Sequence, residues 1–305
     1  MDDHTPRDRY TGHPPSQRVR VGENHRPHVL LRIFFVILGT GALWWLLLPW
    51  VVDMLPDGSQ VGPSRWVTAV MMTVLVVTVV WVARRYLDRR PWRGLGMTGP
   101  REGWWPFLVG ALAWMVPGFA GIALVTALGW VEIVPLLPTG ELVLSLVGLT
   151  CLVLLFEAVP EELIFRGYLF TNLNTVMSAW LVVVAQAALF TLFGTVLWVL
   201  SDGWGVLGER GLLLLGMGVV LGCLRVVTGN VWACVGFHLV FQTVAQAVLN
   251  GQLLTTRGDH DAFLLCLALP FVFGVLVAVL LTRNGGDWGA RLSGTPESVR
   301  NRPNA

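Results

Sequence analysis

The chain has 305 residues, of which 54% are hydrophobic and 13% charged, against about 25% charged residues in an ordinary soluble domain. A soluble protein could not bury so much apolar surface, so this composition argues against a cytosolic enzyme. The net charge of +2 gives no indication of nucleic-acid binding, and we expect no nucleic-acid partner.

Long uncharged runs follow one another along the sequence. A bilayer core of about 30 Å needs roughly 20 apolar helical residues. The segments that meet this requirement are 29–52, 66–83, 104–130, 142–172, 178–200, 211–228, 230–250 and 262–282. The fourth is too long to cross straight and contains Pro160, which predicts a kink or a break. The sequence therefore predicts an all-α, polytopic integral membrane helical bundle with about eight transmembrane helices.

All 21 basic residues are arginine, and they are clustered. The clusters lie in 1–32, 84–101 and 283–302, whereas the other connections hold only Arg65, Arg210 and Arg257. Eight spans place the three clusters on one side, which the positive-inside rule makes cytoplasmic. We predict a multi-pass plasma-membrane protein with both termini cytoplasmic. Its membrane domain is 29–283, with a disordered tail at 1–28 and a second cytoplasmic tail at 284–305.

Four charged residues interrupt the fourth predicted span: Glu157, Glu161, Glu162 and Arg166. A charged side chain at the bilayer centre raises the free energy of membrane insertion by about 2.5–3.5 kcal/mol. Charged residues at such positions therefore usually have a function. Glu162 and Arg166 are spaced i,i+4 and can pair, which leaves Glu161 pointing about 100° away. In that direction Glu161 could act as a general base or a metal ligand.

Pro160 fits the first turn of a helix, which would place Glu161 and Glu162 at the positive end of that helix. An acidic helix start at the membrane edge, with one ion pair, explains the same residues without a functional site.

His238 is the one histidine within a predicted span, and Gln242 lies a turn later on the same face. The pair could serve catalysis or could form hydrogen bonds between helices. Arg225 is predicted to mark a helix end by extending its charge toward the cytoplasm. Gly218 and Gly222 form a small-xxx-small pair that favours close helix packing.

Together these residues resemble the CPBP family (CAAX prenyl protease and bacteriocin-processing, also called Abi) of intramembrane metalloproteases. The first motif of the family, Glu-Glu-x-x-x-Arg, stands at 161–166 and is followed by Gly-Tyr-Leu at 167–169. The second motif, Phe-x-x-x-His, corresponds to 190–194, and the third, His-x-x-x-Asn or Asp, corresponds to 238–242. The segment 224–232 is similar to the usual lead-in of the third motif, so the resemblance covers 140–250.

This resemblance implies a CAAX prenyl endopeptidase-like enzyme that hydrolyses peptide bonds of membrane-embedded or membrane-tethered substrates. It implies that Glu161 activates water, that Glu162 and Arg166 support it, and that His238 and Gln242 belong to the catalytic set. Zinc or another divalent metal would be held by His238 and Glu161. The resemblance also implies a cavity that opens toward the cytoplasmic leaflet.

Two positions depart from the family pattern. Gly194 replaces the histidine of the second motif, and Gln242 replaces the Asn or Asp of the third. Catalytic zinc normally has three protein ligands, so we expect low metal affinity and weak or absent proteolysis unless Glu157 fills the gap.

Two other functions remain open from the sequence. One is a non-catalytic relative that binds a peptide or membrane partner in an immunity or regulatory role. The other is a small transporter with Glu161, Arg166 and His238 as its polar pathway, although no inverted repeat is visible.

Overall fold

The computed structural model of this chain describes residues 26–47, 49, 61–282 and 288–291. The predicted tails at 1–28 and 284–305 lie mostly outside the described residues, and so do most of residues 48–60. The boundaries predicted for the tails and the membrane domain therefore stay predictions.

The described part of the chain contains eight helices that are long and apolar enough to cross a membrane. They are α1 (Val29–Leu47), α2 (Pro63–Asp88), α3 (Pro100–Ala127), α4 (Thr139–Leu173), α5 (Ala179–Asp202), α6 (Leu207–Thr228), α7 (Val231–Leu249) and α8 (His260–Thr282). Short 3₁₀ turns at Trp92–Leu95 and Trp204–Val206 precede α3 and α6. The predicted all-α polytopic bundle is confirmed.

The outer surface of the bundle is apolar. Leu46, Leu144 and Leu212 are each about three-quarters exposed, at 75%, 75% and 74%. Water would not tolerate such a continuous apolar surface, whereas lipid chains cover it at no cost. The protein is therefore an integral membrane protein.

Two short strands were not predicted. β1 (Val131–Pro135) and β2 (Leu254–Gly258) pair antiparallel, with Val131 opposite Gly258 and Pro135 opposite Leu254. They join the α3–α4 connection to the α7–α8 connection.

Helix α4 lies at the centre of the bundle and contacts α1, α2, α5, α6 and α7. It stays helical through Pro160, with π-helical turns at Leu154–Ala158 and Leu163–Leu169 on either side. A π turn pairs the backbone differently from an α turn, which accommodates a residue that lacks an amide hydrogen. Of the predicted kink or break, the break is absent, and Glu161 and Glu162 lie inside a helix rather than at the free start of one.

Glycines let neighbouring helices approach to backbone contact. A methyl group on Gly110 of α3 would overlap the Ala233 carbonyl oxygen of α7, and one on Gly236 of α7 would overlap the Phe107 carbonyl oxygen of α3. On α6, a methyl group on Gly218 would lie 2.9 Å from the Cα atom of Ala187 on α5. The close packing predicted for Gly218 is confirmed.

The bundle has two ends that differ in charge. The arginine-rich face contains the start of α1, the α2–α3 connection, the α4–α5 and α6–α7 turns, and residues 288–291. These segments contact one another: Trp180 donates its amide to the Trp288 carbonyl at 3.2 Å, and Val231 donates to the Gly96 carbonyl at 2.9 Å. The pKa of Arg90 on this face is lowered from its usual value. The larger cause is burial, and the nearby positive charges of Arg26 and Arg84 add to it. The opposite face contains residues 61–62, β1 and β2.

Asp88 organises the arginine-rich face. Its buried carboxylate accepts hydrogen bonds from Arg32 at 2.8 Å, from Arg84 at 3.0 Å, from the Asn172 amide at 3.0 Å and from the Tyr168 hydroxyl at 3.1 Å. The network joins α1, α2 and α4, so it closes this end of the bundle around one negative charge.

Arg225 is buried, and the prediction that it extends toward the cytoplasm is wrong. Its Nε donates to the Arg166 carbonyl at 3.0 Å and its Nη2 donates to the Leu95 carbonyl at 3.2 Å. The two backbone acceptors hold the guanidinium between α4 and the 3₁₀ turn that precedes α3.

Candidate active site

A cavity of about 590 Å³ lies between α1, α4, α5, α6 and α7. Its polar lining includes Glu157 and Glu161 from α4 together with His238, Gln242 and Gln246 from α7. The spacing of four residues on both helices places these groups on facing stripes. The cavity therefore brings the predicted residues of the first and third motifs together.

Aromatic side chains form the apolar wall of this cavity, and they are Trp44, Trp45, Phe156, Phe190 and Phe193. The ring of Phe193 lies 5.9 Å from that of Trp44 and 5.7 Å from that of Trp45, measured between centroids. An apolar wall beside a few convergent polar groups is typical of a binding site.

Glu162 lies behind the cavity rather than in it. Its Oε1 accepts from Arg166 Nη1 at 3.0 Å and lies 2.8 Å from His238 Nδ1. Arg166 also donates to the Gly218 carbonyl at 3.4 Å, and its guanidinium lies 4.5 Å from the centre of the Phe190 ring. The predicted ion pair between Glu162 and Arg166 is present, and the same carboxylate orients His238.

Glu161 and His238 face each other across a gap. His238 Nε2 lies 4.0 Å from Glu161 Oε2, and the Glu161 side chain is 17% exposed while that of His238 is 2% exposed. With Glu162 as the acceptor, we assign the ring proton of neutral His238 to Nδ1. Nε2 then presents its lone pair to the gap.

A water molecule and a zinc ion would bridge this gap at different widths. A water that donates to two acceptors at about 2.8 Å each separates them by about 4.4 Å. A tetrahedral zinc ion at about 2.0–2.1 Å from each donor would hold them only about 3.4 Å apart. The observed 4.0 Å lies between these two values.

The donor set does not fit a catalytic zinc site. Among the described residues, no group of three or more His, Cys, Asp or Glu side chains is placed to hold a metal ion. Glu161 and His238 supply two donors where such a site normally has three. Glu157 lines the same cavity, but its Oε1 accepts from Gln246 Nε2 at 2.7 Å instead of completing a three-donor group.

Sequence reasoning did not single out Gln246. It lies two turns after His238 on the same face of α7, and that periodicity was the available signal. Gln242 also lies beside Glu157, so two amides of α7 meet one carboxylate of α4. These amides account for hydrogen bonds of the Glu157 carboxylate.

Gly194 lines the cavity at the position of the second-motif histidine. A methyl group on Gly194 would lie 2.9 Å from the Cδ1 atom of Leu214 on α6. The Leu214 side chain therefore occupies the space into which a residue at 194 would extend.

The exposed rim of the cavity lies at the opposite face of the bundle. Pro49 and Asn250 follow the ends of α1 and α7 there, Arg65 lies in the first turn of α2, and all three are exposed. The opening toward the cytoplasmic leaflet that the resemblance implies stays a prediction. The mouth and the clusters lie at opposite ends.

Residues 142–244 match a family model, described as type II CAAX prenyl endopeptidase Rce1-like. The matched segment covers about a third of the chain and includes Glu157, Glu161, Gly194, His238 and Gln242. No curated protein matches the chain. The resemblance predicted from the motifs is confirmed by this match, whose model describes type II CAAX prenyl endopeptidases.

Proposed function

From the Rce1-like match of residues 142–244, we propose that this protein is an intramembrane endopeptidase of low activity that acts on membrane-associated peptides. The observation that carries the proposal is the 4.0 Å gap between Glu161 Oε2 and His238 Nε2, open to an aromatic-walled cavity. A water molecule in this gap is the nucleophile that peptide hydrolysis needs.

Each group of the cavity has one role in the proposed reaction. Glu161 takes one proton from the water while His238 Nε2 accepts a hydrogen bond from the O–H that remains, and the water oxygen attacks the peptide carbonyl carbon. The Gln242 amide can donate to the oxygen that becomes negative. The C–N bond then breaks, and Glu161 returns its proton to the leaving amine.

Glu162 and Arg166 serve this reaction without touching the substrate. The hydrogen bond from His238 Nδ1 to Glu162 sets the ring orientation and the tautomer, and Arg166 compensates the buried charge of Glu162. Both are positioning residues.

Low activity follows from the donor set. Water bound to a catalytic metal has a pKa of about 7, against about 15.7 for free water. With two donors where catalytic zinc normally has three, deprotonation of the water depends on Glu161 and His238.

Cleavage of a membrane-tethered peptide library tests the proposal. The purified protein should cleave slowly, and Glu161→Gln should abolish cleavage because the proton acceptor is lost. Glu141→Gln, which changes an exposed glutamate at the start of the same helix, is the matched control and should cleave like the unmodified protein. Equal cleavage by both variants would contradict the role of Glu161.

Metal removal provides an independent prediction. We expect a strong chelator to leave the rate unchanged, because the cavity does not supply the donors of a zinc site. Rates before and after extended dialysis against the chelator are the measurement. A rate that falls to background and returns with zinc would contradict the metal-independent mechanism.

A non-catalytic binding protein is the second candidate, and one observation favours it. Leu214 fills the space beside Gly194, so the cavity has an apolar surface where the family has an imidazole. If the protein only binds, a peptide captured by the unmodified protein will be recovered uncleaved after long incubation.

A further inference from the structure

A second cavity, of about 650 Å³, lies where α2 ends and the connection to α3 begins. Four of its lining residues are arginines, namely Arg84, Arg85, Arg89 and Arg90, and we call it the arginine cavity. It shares no lining residue with the candidate active site. Guanidinium groups around one concave surface are suited to bind a phosphate group, because each can donate two parallel hydrogen bonds to it.

The positive charge at the arginine cavity exceeds the negative charge that the described residues supply there. The carboxylate of Asp88 is already shared between Arg32 at 2.8 Å and Arg84 at 3.0 Å. The pKa of Arg90 is lowered, first by burial and then by the positive charges of Arg26 and Arg84. Asp88 raises this pKa, and Arg32 lowers it again. An anion bound in the cavity would offset this excess of positive charge.

Arg89 has a backbone conformation that normally belongs to glycine. It follows the last residue of α2 with a φ angle of 53°, the one positive φ angle among the described non-glycine residues. Helices that end in this left-handed conformation usually carry glycine at that position, because a side chain there costs free energy. The conformation therefore points to a role for the Arg89 guanidinium, which lines the cavity.

Hydrogen bonds hold the turn that carries the four arginines. Arg84 Nε donates to the Pro91 carbonyl at 3.1 Å, and the Arg90 amide donates to the Arg84 carbonyl at 3.2 Å. Because the turn is already ordered, less conformational entropy is lost when its side chains bind a ligand.

The aromatic residues of the arginine cavity favour a lipid as the source of the phosphate. Trp81 and Tyr86 line the cavity and are exposed, and their ring centroids lie 6.3 Å apart. Tryptophan and tyrosine at the end of a membrane span lie at the level of the lipid headgroups. Toward the membrane interior, α2 exposes Val70 and Val74 on the face that leads to Trp81. An acyl chain can lie along these valines while its headgroup reaches the arginines.

We propose that the arginine cavity binds the phosphate group of an anionic phospholipid from the leaflet on the arginine-rich side. Arg85, Arg89 and Arg90 hold the phosphate. Arg84 fixes the turn that carries them. Basic residues directly after a membrane span are typical of such recognition. Because the Asp88 network joins α1, α2 and α4, the bound lipid stabilises this end of the bundle.

Lipid binding to the purified full-length protein tests the proposal, and it needs no cleavage activity. The protein is delipidated in a neutral detergent and offered equal amounts of phosphatidylglycerol and phosphatidylcholine. Native mass spectrometry measures the affinity for each lipid. We expect a preference for phosphatidylglycerol, and equal affinities for the two lipids would overturn the proposal.

Arg89→Gly separates lipid binding from folding. Without lipid, this variant should be at least as stable as the unmodified protein, because glycine adopts the left-handed conformation without strain. Its affinity for phosphatidylglycerol should fall about five-fold, the contribution of one arginine near an anionic membrane surface. Arg85→Gln, at another exposed position of the cavity, should cause a similar loss.

Arg101→Gln is the matched control, because Arg101 is an exposed arginine at the start of α3 that does not line the arginine cavity. It should bind phosphatidylglycerol like the unmodified protein. Unchanged affinity in both Arg89→Gly and Arg85→Gln would overturn the proposal. An equal loss in Arg101→Gln would also overturn it, since binding would then reflect the overall charge of the face.

A comparison with soluble phosphate distinguishes the source of the anion. Phosphatidylglycerol should raise the midpoint of thermal unfolding of the unmodified protein, and less so for Arg89→Gly. Inorganic phosphate at the same concentration should leave the midpoint unchanged, because it lacks the acyl chains that pack against α2. Equal stabilisation by inorganic phosphate would overturn the assignment to a lipid.

Discussion

Glu162 connects the ion pair to the imidazole of the site. One oxygen of its carboxylate accepts from both Arg166 and His238, and the residue is fully buried. A buried charge is tolerated only when its partners compensate it. Glu161, one residue earlier, is partly exposed to the cavity. The two adjacent glutamates therefore have different surroundings, and we propose a role in stability for Glu162 and a role in chemistry for Glu161.

The first residue-scale prediction concerns this difference. Glu162→Ala and Arg166→Ala should each lower the free energy of unfolding by about 3–5 kcal/mol, because each leaves the other charge buried without its partner. Glu161→Ala should cost much less, since no ion pair is broken. Thermal unfolding in detergent measures this, and equal stability of the three variants would contradict the assignment.

The second residue-scale prediction concerns Gly194. Gly194→His combined with Leu214→Ala should raise the affinity for zinc and the cleavage rate, because it adds an imidazole and removes the methyl groups that occupy its space. Gly194→His alone should do less, since Leu214 must move. Zinc content after dialysis and the cleavage rate are the measurements, with Leu214→Ala as the control. A double variant that behaves like Leu214→Ala would show that position 194 contributes nothing.

Sequence spacing predicts contacts within a helix and not contacts between helices. The pair of Glu162 and Arg166 follows from a separation of four positions. The contact of Glu162 with His238 joins residues 76 positions apart, and no periodicity indicates it. The same holds for Leu214 beside Gly194, because neither residue carries a polar signal.

At the scale of elements, close approach of α3 and α7 determines where His238 lies. Gly110 and Gly236 allow the two backbones to touch, and α7 packs extensively against α3. The contact holds α7, which carries His238 and Gln242, against α3. Helix α3 itself contributes no polar group to the site.

We predict that Gly236→Ala lowers the free energy of unfolding by about 1–3 kcal/mol, because its methyl group meets the backbone of α3, which cannot rotate away. Gly140→Ala, with nothing within 4 Å of the added methyl group, is the matched control and should be neutral or slightly stabilising. Chemical unfolding in mixed micelles gives both values. A Gly236→Ala protein as stable as the control would mean that the helices can separate freely.

The apolar runs of the sequence predict all eight helices but not the strands or the course of α4. Each strand has five residues, and β1 and β2 lie far apart in the sequence. No local pattern therefore indicates that they pair. Pro160 in isolation predicts a kink or a break, whereas α4 stays helical there between two π-helical turns.

At the scale of the whole molecule, one end is closed by charge and the other contains the mouth of the cavity. The arginine clusters predict which segments meet, and the structure joins the first two of them around Asp88 through Arg32 and Arg84. The sequence contains no comparable signal for the mouth, because exposed Pro49 and Asn250 look like ordinary loop residues.

The closed end depends on Asp88. Asp88→Asn should lower the free energy of unfolding by about 3–5 kcal/mol, because it removes the one negative charge between Arg32 and Arg84. Glu132→Gln also removes a carboxylate from an arginine partner, but that pair is exposed and 3.9 Å apart, so its loss should cost at most about 1 kcal/mol. Comparable losses for the two variants, measured by thermal unfolding, would contradict the importance of burial at Asp88.

The π turns of α4 determine where the length of this helix can change during evolution. A π turn forms where one residue is inserted into an α-helix. A homologue that is one residue shorter can therefore lose the π turn at Leu154–Ala158 or at Leu163–Leu169, and the helix faces on either side keep their orientation. One residue gained or lost at Val159–Glu162 would instead turn the following part of the helix by about 100°. Length variation in this helix should therefore accumulate at the two π turns and spare the four residues between them.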